Sequence, residues 1–156
     1  MTSTVTLGKK VPDFSASATG DKQIRFKDLK GRKVVLYFYP RDNTPGCTTE
    51  GQDFRDNYKA FQKADTEVFG VSQDSLKSHE NFRSKQSFPF DLISDEDGSL
   101  CRLFDVLKMK SMYGKQFEGI ERSTFLIDAS GKLQAEWRKV KVPGHVEEVL
   151  AGAAKL

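Results

Sequence analysis

Cysteine and histidine are scarce in this sequence, at two residues each among 156. Cys47 and Cys101 stand far apart with no C-x-x-C spacing, which excludes a disulfide scaffold and a cysteine zinc site. His79 and His145 are isolated, so neither a zinc motif nor a thiol-protease dyad is indicated, and both are expected at the surface. No run of about 18 apolar residues occurs, and residues 1–10 contain no apolar signal-peptide core; a cytoplasmic protein without membrane contact is expected. Neither G-x-x-x-x-G-K-[ST] nor G-x-G-x-x-G is present, which removes the common nucleotide-binding loops. Asp95-Glu96-Asp97-Gly98 gathers acids, but its glycine comes too early for a calcium loop and the closing glutamate is missing. No metal or cofactor is expected.

Strong charge is also lacking. Twenty-five lysines and arginines against 22 acids leave a formal charge of +3. The one basic concentration, Trp137-Arg138-Lys139-Val140-Lys141, alternates and reads as a strand with solvated lysines rather than a nucleic-acid stripe. No repeats or low-complexity linkers divide the chain, and 156 residues suit one domain, 1–156, with a core fed by twelve phenylalanines.

What the chain does carry is concentrated around Cys47. Val34-Val35-Leu36-Tyr37-Phe38-Tyr39 is a continuous β-branched and aromatic run, a buried strand that stops where Pro40 has no N–H to donate. Thr44 followed by Pro45 reads as an N-cap with proline at N1. Cys47 then falls near N3, facing the free N–H groups and positive end of the helix dipole, where an anionic side chain is favoured and sulfur can supply it. Cys47, Gly51, Phe54, Tyr58 and Phe61 recur at spacings of four, three, four and three, one face of a helix turned to the core. Gly51 leaves space for a small ligand or a closely packed neighbour. A buried cysteine filling core volume would give the same stripe.

These residues resemble a known family. Pro40, Thr44 and Cys47 stand in the spacing P-x-x-x-T-x-x-C. With Gly119-Ile120-Glu121-Arg122-Ser123-Thr124-Phe125-Leu126-Ile127-Asp128, the Gly8–Phe14 opening and Phe88-Pro89-Phe90-Asp91-Leu92, the chain is similar over nearly its whole length to peroxiredoxins of the bacterioferritin comigratory protein (PrxQ) type. The resemblance implies a peroxidase in which Cys47 attacks a hydroperoxide and becomes a sulfenic acid. It implies that Thr44 contacts the peroxide, Pro40 shields the sulfur, and Arg122 holds the thiolate and orients the O–O bond. Glu50, one turn after Cys47, either orients Arg122 or complements the helix N-terminus. A free thiol of pKa about 8.5 is about 3% ionised at neutral pH, so ionisation alone supplies only about thirtyfold. Positioning and charge stabilisation must supply the rest.

The second cysteine departs from the family. Many relatives carry a resolving cysteine five residues after the first, where this chain has Gln52; another such position lies in the following helix, here Arg83-Ser84-Lys85. Cys101 lies in Ser99-Leu100-Cys101-Arg102-Leu103-Phe104, a short helical turn read as capped by Ser99. It is either a core residue or a resolving thiol reached after local unfolding. The favoured cycle uses one cysteine, with glutathione, glutaredoxin or thioredoxin reducing Cys47 directly. The resemblance leans toward a monomer or weak dimer. A thioredoxin-fold binding or holdase module with a structural cysteine is the competing class, and a thiol-disulfide oxidoreductase lacks its vicinal pair.

Strands alternating with helices and ending in a hairpin and a helix give the order of an α/β, thioredoxin-like fold, with the peroxiredoxin N-terminal hairpin around Gly20 and insertions. Strands are expected at residues 67–72, 91–94, 123–128 and 133–137, and helices at 75–86 and from Gly144 onward. Residues 108–119 read as an irregular cover for one side of the site, with Met109 and Met112 as packing.

Overall fold

The computed structural model describes residues 5–156, so the expected domain and leader readings extend in part to residues outside them. Strand β3 (Lys33–Phe38) occupies an interior position in a seven-stranded sheet. Its apolar run is explained by burial on both faces. Val34, Leu36 and Phe38 enter one core, while Val35, Tyr37 and the following Tyr39 enter the other.

β1 (Ser15–Ala18) and β2 (Lys22–Arg25) form the expected N-terminal hairpin, and a 3-10 turn at Phe26–Leu29 follows. β4 (Thr66–Ser72) runs parallel to β3, with Leu36 opposite Phe69, and β5 (Asp91–Ser94) runs parallel to β4. β8 (Ser123–Ile127) lies antiparallel on the other side of β3, with Leu36 opposite Phe125, and β9 (Leu133–Trp137) closes that edge. The sheet order is β2-β1-β5-β4-β3-β8-β9, a thioredoxin-like arrangement.

The stripe that begins at Cys47 is carried by two helices. α1 (Pro45–Asp56) ends where Asn57 leaves helical geometry and its side-chain Nδ2 donates to the Asp53 carbonyl at 2.8 Å; α2 (Tyr58–Lys63) continues. Cys47, Gly51, Phe54 and Phe61 are buried as the spacing requires, while Tyr58 is half-buried and donates to Glu67. α3 (Leu76–Gln86) is capped by Ser75, whose hydroxyl oxygen accepts from Ser78 N, and α5 (His145–Lys155) follows Gly144 at φ 76°.

α4 (Ser99–Leu103) corrects the expected cap. Ser99 is the first helical residue, and Gly98 at φ 75° holds the N-cap position. Carboxylates do the capping: Asp97 accepts from Ser99 N, while Asp95 accepts from Leu100 N at 3.0 Å and Cys101 N at 2.8 Å.

Residues 108–119 also differ from expectation. They form a separate ribbon of β6 (Leu107–Met112) and β7 (Lys115–Ile120), joined through Tyr113 and Gly114 at φ 53° and 76°. Two positive φ values suit a tight hairpin turn, but tyrosine is not a residue that announces one. Most of the ribbon has no buried face, and the Leu107-Lys108-Met109-Lys110 alternation stops after four residues. Met109, Met112 and Tyr113 are exposed rather than packed.

Two further expectations change. The basic segment leaves the sheet after Trp137, because Lys139 adopts φ 51°, although Lys139 and Lys141 are solvated as expected. Both histidines are buried: His145 shares a 2.8 Å hydrogen bond with Thr124 Oγ1, and His79 bridges Asp42 and the Ile93 carbonyl. Interior hydrogen-bond partners make such burial affordable for imidazole, and no sequence spacing signals them.

Candidate active site

Cys47 occupies N3 of α1, as the Thr44-Pro45 signal predicts. Its residue is 1% exposed, and its sulfur receives a hydrogen bond from Arg122 Nη2 at 3.3 Å. Arg122 immediately precedes β8, which runs beside β3, so pairing of these strands brings together residues 75 positions apart. The other arm of the guanidinium, Nη1, donates to Glu50 Oε1 at 2.5 Å. Glu50 is thereby brought into contact with Arg122.

Glu50 is fully buried, and among the described residues its second oxygen has no hydrogen-bond partner. Burial pushes its carboxyl up to about 7, against the opposing pull of Arg122. Tyr37, packed on Phe54 at 4.4 Å between ring centres, lies beneath this group; burial, then the charges of Glu50 and Cys47, push its phenol well above the usual range.

Thr44 holds the N-cap position, but its hydroxyl donates back to the Arg41 carbonyl at 2.9 Å instead of capping an N–H. The hydroxyl oxygen therefore keeps acceptor capacity at the mouth of α1. Pro40 is exposed at the end of β3.

Two glycines shape the site. A Cβ on Gly46 would lie 3.2 Å from Arg122 Nη2, so the missing side chain gives the guanidinium its seat. Sequence reasoning passed over this residue, since a glycine at N2 carries no signal of its own. At Gly51 the space is filled by a neighbour: a Cβ would stand 2.4 Å from Phe88 Cζ. Beyond the sulfur, Lys110 of β6 donates to the Ile120 carbonyl at 2.6 Å. Burial and then the Arg122 charge pull it below its ordinary pKa.

Cys101 is not brought to this site. It is fully buried in the core that contains Val34, Leu36 and Phe38, whereas Cys47 belongs to the core of Val35, Tyr37 and Tyr39. The sheet stands between the two thiols. Burial, followed by the nearby Asp95 carboxylate, pushes the Cys101 thiol far up, which keeps it protonated.

Asp42, Asp74 and His79 converge closely enough to suggest a cation site. Both carboxylates are already engaged by protein donors: Tyr39, Ser78 and His79 for Asp42, and Ser72 with the Asp42 N–H for Asp74. The cluster is a hydrogen-bond network.

A thioredoxin-like sheet that presents a buried sulfur in the first turn of a helix, gripped by an arginine, defines a thiol-based redox protein. Comparison with known proteins narrows the class. A family model of the AhpC/TSA family matches residues 7–136. Peroxiredoxin Bcp of Xanthomonas campestris is 54% identical over 139 residues, 89% of this chain and 87% of that protein. Peroxiredoxin Bcp of Bacillus subtilis is 48% identical over 147 residues, 94% of each chain. A solved structure of Xanthomonas campestris Peroxiredoxin Q superposes with a TM-score of 0.87 at 52% identity, covering 91% of this chain and 90% of the other. Another, described for the alkyl peroxide reduction activity of the Xanthomonas campestris bacterioferritin comigratory protein, gives 0.87 at 51% identity with the same coverage. The chain belongs to the AhpC/TSA family and is a peroxiredoxin of the Bcp/PrxQ type.

Proposed function

We propose that this peroxiredoxin reduces hydrogen peroxide and organic hydroperoxides through Cys47 in a one-cysteine cycle. The observation that carries the reading is the two-armed grip of Arg122 on Cys47 and Glu50. A fixed guanidinium beside the sulfur stabilises the thiolate and offers donors to the oxygens of a bound peroxide. The Cys47 thiolate attacks the terminal oxygen, a sulfur–oxygen bond forms, the O–O bond breaks, and water or alcohol leaves after taking a proton. Cys47 is then a sulfenic acid. Thr44 contacts the peroxide with its hydroxyl, and Pro40 limits water at the mouth.

An external thiol completes the cycle. Glutathione, glutaredoxin or thioredoxin attacks the sulfenic sulfur and releases water, and a second thiol frees Cys47 from the mixed disulfide. Placement of Cys101 across the sheet supports this order, since a disulfide needs Cα atoms within about 7 Å. The alkyl peroxide activity described for the Xanthomonas campestris relative supports organic peroxides as substrates.

The test is peroxide turnover with each reductant for the parent, Cys47→Ser and Cys101→Ser. Loss in the first variant and retention in the second are expected. An intramolecular disulfide joining Cys47 to Cys101 after peroxide treatment, seen by non-reducing mass spectrometry, would overturn the one-cysteine cycle.

A further inference from the structure

We propose that Asp42 and His79 are positioning residues, a buried clamp that holds the Cys47 loop in its peroxide-reactive shape and sets how readily it opens to a reducing thiol. The inference rests on Cys47 being the reactive sulfur. At 1% exposure that sulfur can meet a protein or peptide thiol only when the start of α1 moves, so whatever restrains the preceding loop governs the second half of the cycle.

Asp42 lies in that loop, five residues before Cys47, and its side chain is 1% exposed. Oδ1 accepts from the Tyr39 hydroxyl at 2.6 Å. Oδ2 accepts from Ser78 Oγ at 2.8 Å and faces His79 Nδ1 at 2.7 Å, both on α3. The opposite imidazole nitrogen, Nε2, lies 2.9 Å from the Ile93 carbonyl of β5. A carbonyl can only accept, so Nε2 carries a hydrogen, and one further proton is shared between Nδ1 and the Asp42 carboxyl. The pair is charge-assisted and inaccessible to water.

The backbone of the same residue is tied as well. Asp42 N donates to Asp74 Oδ2 at 2.8 Å, and Asp74 is fixed in turn by Ser72 at the end of β4 and by Ser94 Oγ on its carbonyl. Asp42 thus joins the loop to β4 and α3, and His79 extends the tie to β5. The next residue, Asn43, sits at φ 65°, a left-handed conformation that asparagine tolerates better than other side-chain-bearing residues and that turns the chain toward α1. One local bond spans the loop, from the Thr44 hydroxyl to the Arg41 carbonyl at 2.9 Å, but among the described residues no side chain caps an N–H of α1, and its first turn has no acid. The clamp on one side and the Glu50–Arg122 pair on the other restrain the turn that presents the sulfur.

The experiment uses the full chain in a Cys101→Ala background, so that one thiol reports. Asp42→Asn and His79→Phe are compared with Phe104→Leu, which disturbs the core on the other face of the sheet, at equal distance below each variant's melting midpoint. The clamp predicts that alkylation of Cys47 by a bulky maleimide rises about tenfold, oxidation of Cys47 by hydrogen peroxide slows about tenfold, and reduction of the sulfenic acid by an external thiol speeds up. Phe104→Leu is expected to leave all three rates unchanged. Should either clamp variant fail to fold, Tyr39→Phe and Ser78→Ala each remove one donor and should shift the same rates in the same directions. Unchanged rates in the clamp variants, or an equal change in Phe104→Leu, would overturn the proposal. Alkylation is read without peroxide, so a parent enzyme that fails to consume peroxide would sink the proposed function and still leave the clamp decided.

Discussion

Arg122 and Glu50 form an ion pair whose carboxylate is wholly buried, with one oxygen bonded at 2.5 Å and the other without a partner among the described residues. The arginine offsets the cost of burying the charge only in part, and the carboxyl rises from 4.5 to about 7. A raised carboxyl binds its proton more tightly in the folded protein than in the unfolded one. Its contribution to stability is therefore greatest at low pH and declines as pH rises from about 4.5 through 7. The decline amounts to a few kcal/mol at most. Glu50→Gln removes this titration, so urea midpoints measured at pH 5 and pH 8 should converge for the variant relative to the parent. Equal pH slopes in the two proteins would refute the assignment.

Arg122→Lys keeps the charge and loses the fork. A lysine ammonium is a point donor that cannot reach Cys47 and Glu50 with the two-armed geometry seen here. The second-order rate of Cys47 oxidation should fall about 100-fold, a loss comparable to removing one well-placed donor from a charge-stabilising site. Stopped-flow oxidation by hydrogen peroxide measures it, and a change below about threefold would show that charge alone suffices.

How much of this was legible depended on whether the signal was local. The strand read at 34–39 and found at Lys33–Phe38, the Thr44-Pro45 start of α1 and the core-facing position of Cys47 follow from neighbouring residues. Arg122 could be placed beside Cys47 only by its family motif, because strand pairing across 75 residues leaves no trace in local periodicity. The β6–β7 ribbon escaped because it is mostly exposed and its alternation, Leu107 to Lys110, is too brief to mark a strand pair. His79 and Asp42 escaped because buried polar pairs are made by tertiary contacts, and the sequence shows each as an ordinary hydrophilic residue.

Phe88 and Gly51 should couple strongly. Alanine at 51 improves helix propensity by about 1 kcal/mol but puts a methyl 2.4 Å from Phe88 Cζ, and the ring is confined by Phe82 and Phe90 at 5.1 Å each. Overpacking of this kind costs about 1–3 kcal/mol, so Gly51→Ala is expected to destabilise on balance. Phe88→Leu costs stability alone and should recover part of it in the double variant. A double-mutant cycle from denaturant midpoints checks this, and additive effects would mean that the ring moves away freely.

Gly46 offers a sharper separation of stability from chemistry. It is exposed in the first turn of α1, so alanine there should raise or preserve the melting temperature through helix propensity. The new methyl would lie 3.2 Å from Arg122 Nη2, tighter than ordinary contact, and the guanidinium must yield by a few tenths of an ångström. It cannot yield freely, because Nη1 is held by a buried carboxylate at 2.5 Å. The arm that moves is the one on sulfur, so Gly46→Ala should slow Cys47 oxidation by about tenfold while the protein melts no earlier than the parent. Melting curves and peroxide stopped-flow on the same preparation decide it. Parent-like oxidation would mean that the arginine tolerates displacement, and that its grip on the sulfur is looser than a 3.3 Å contact implies.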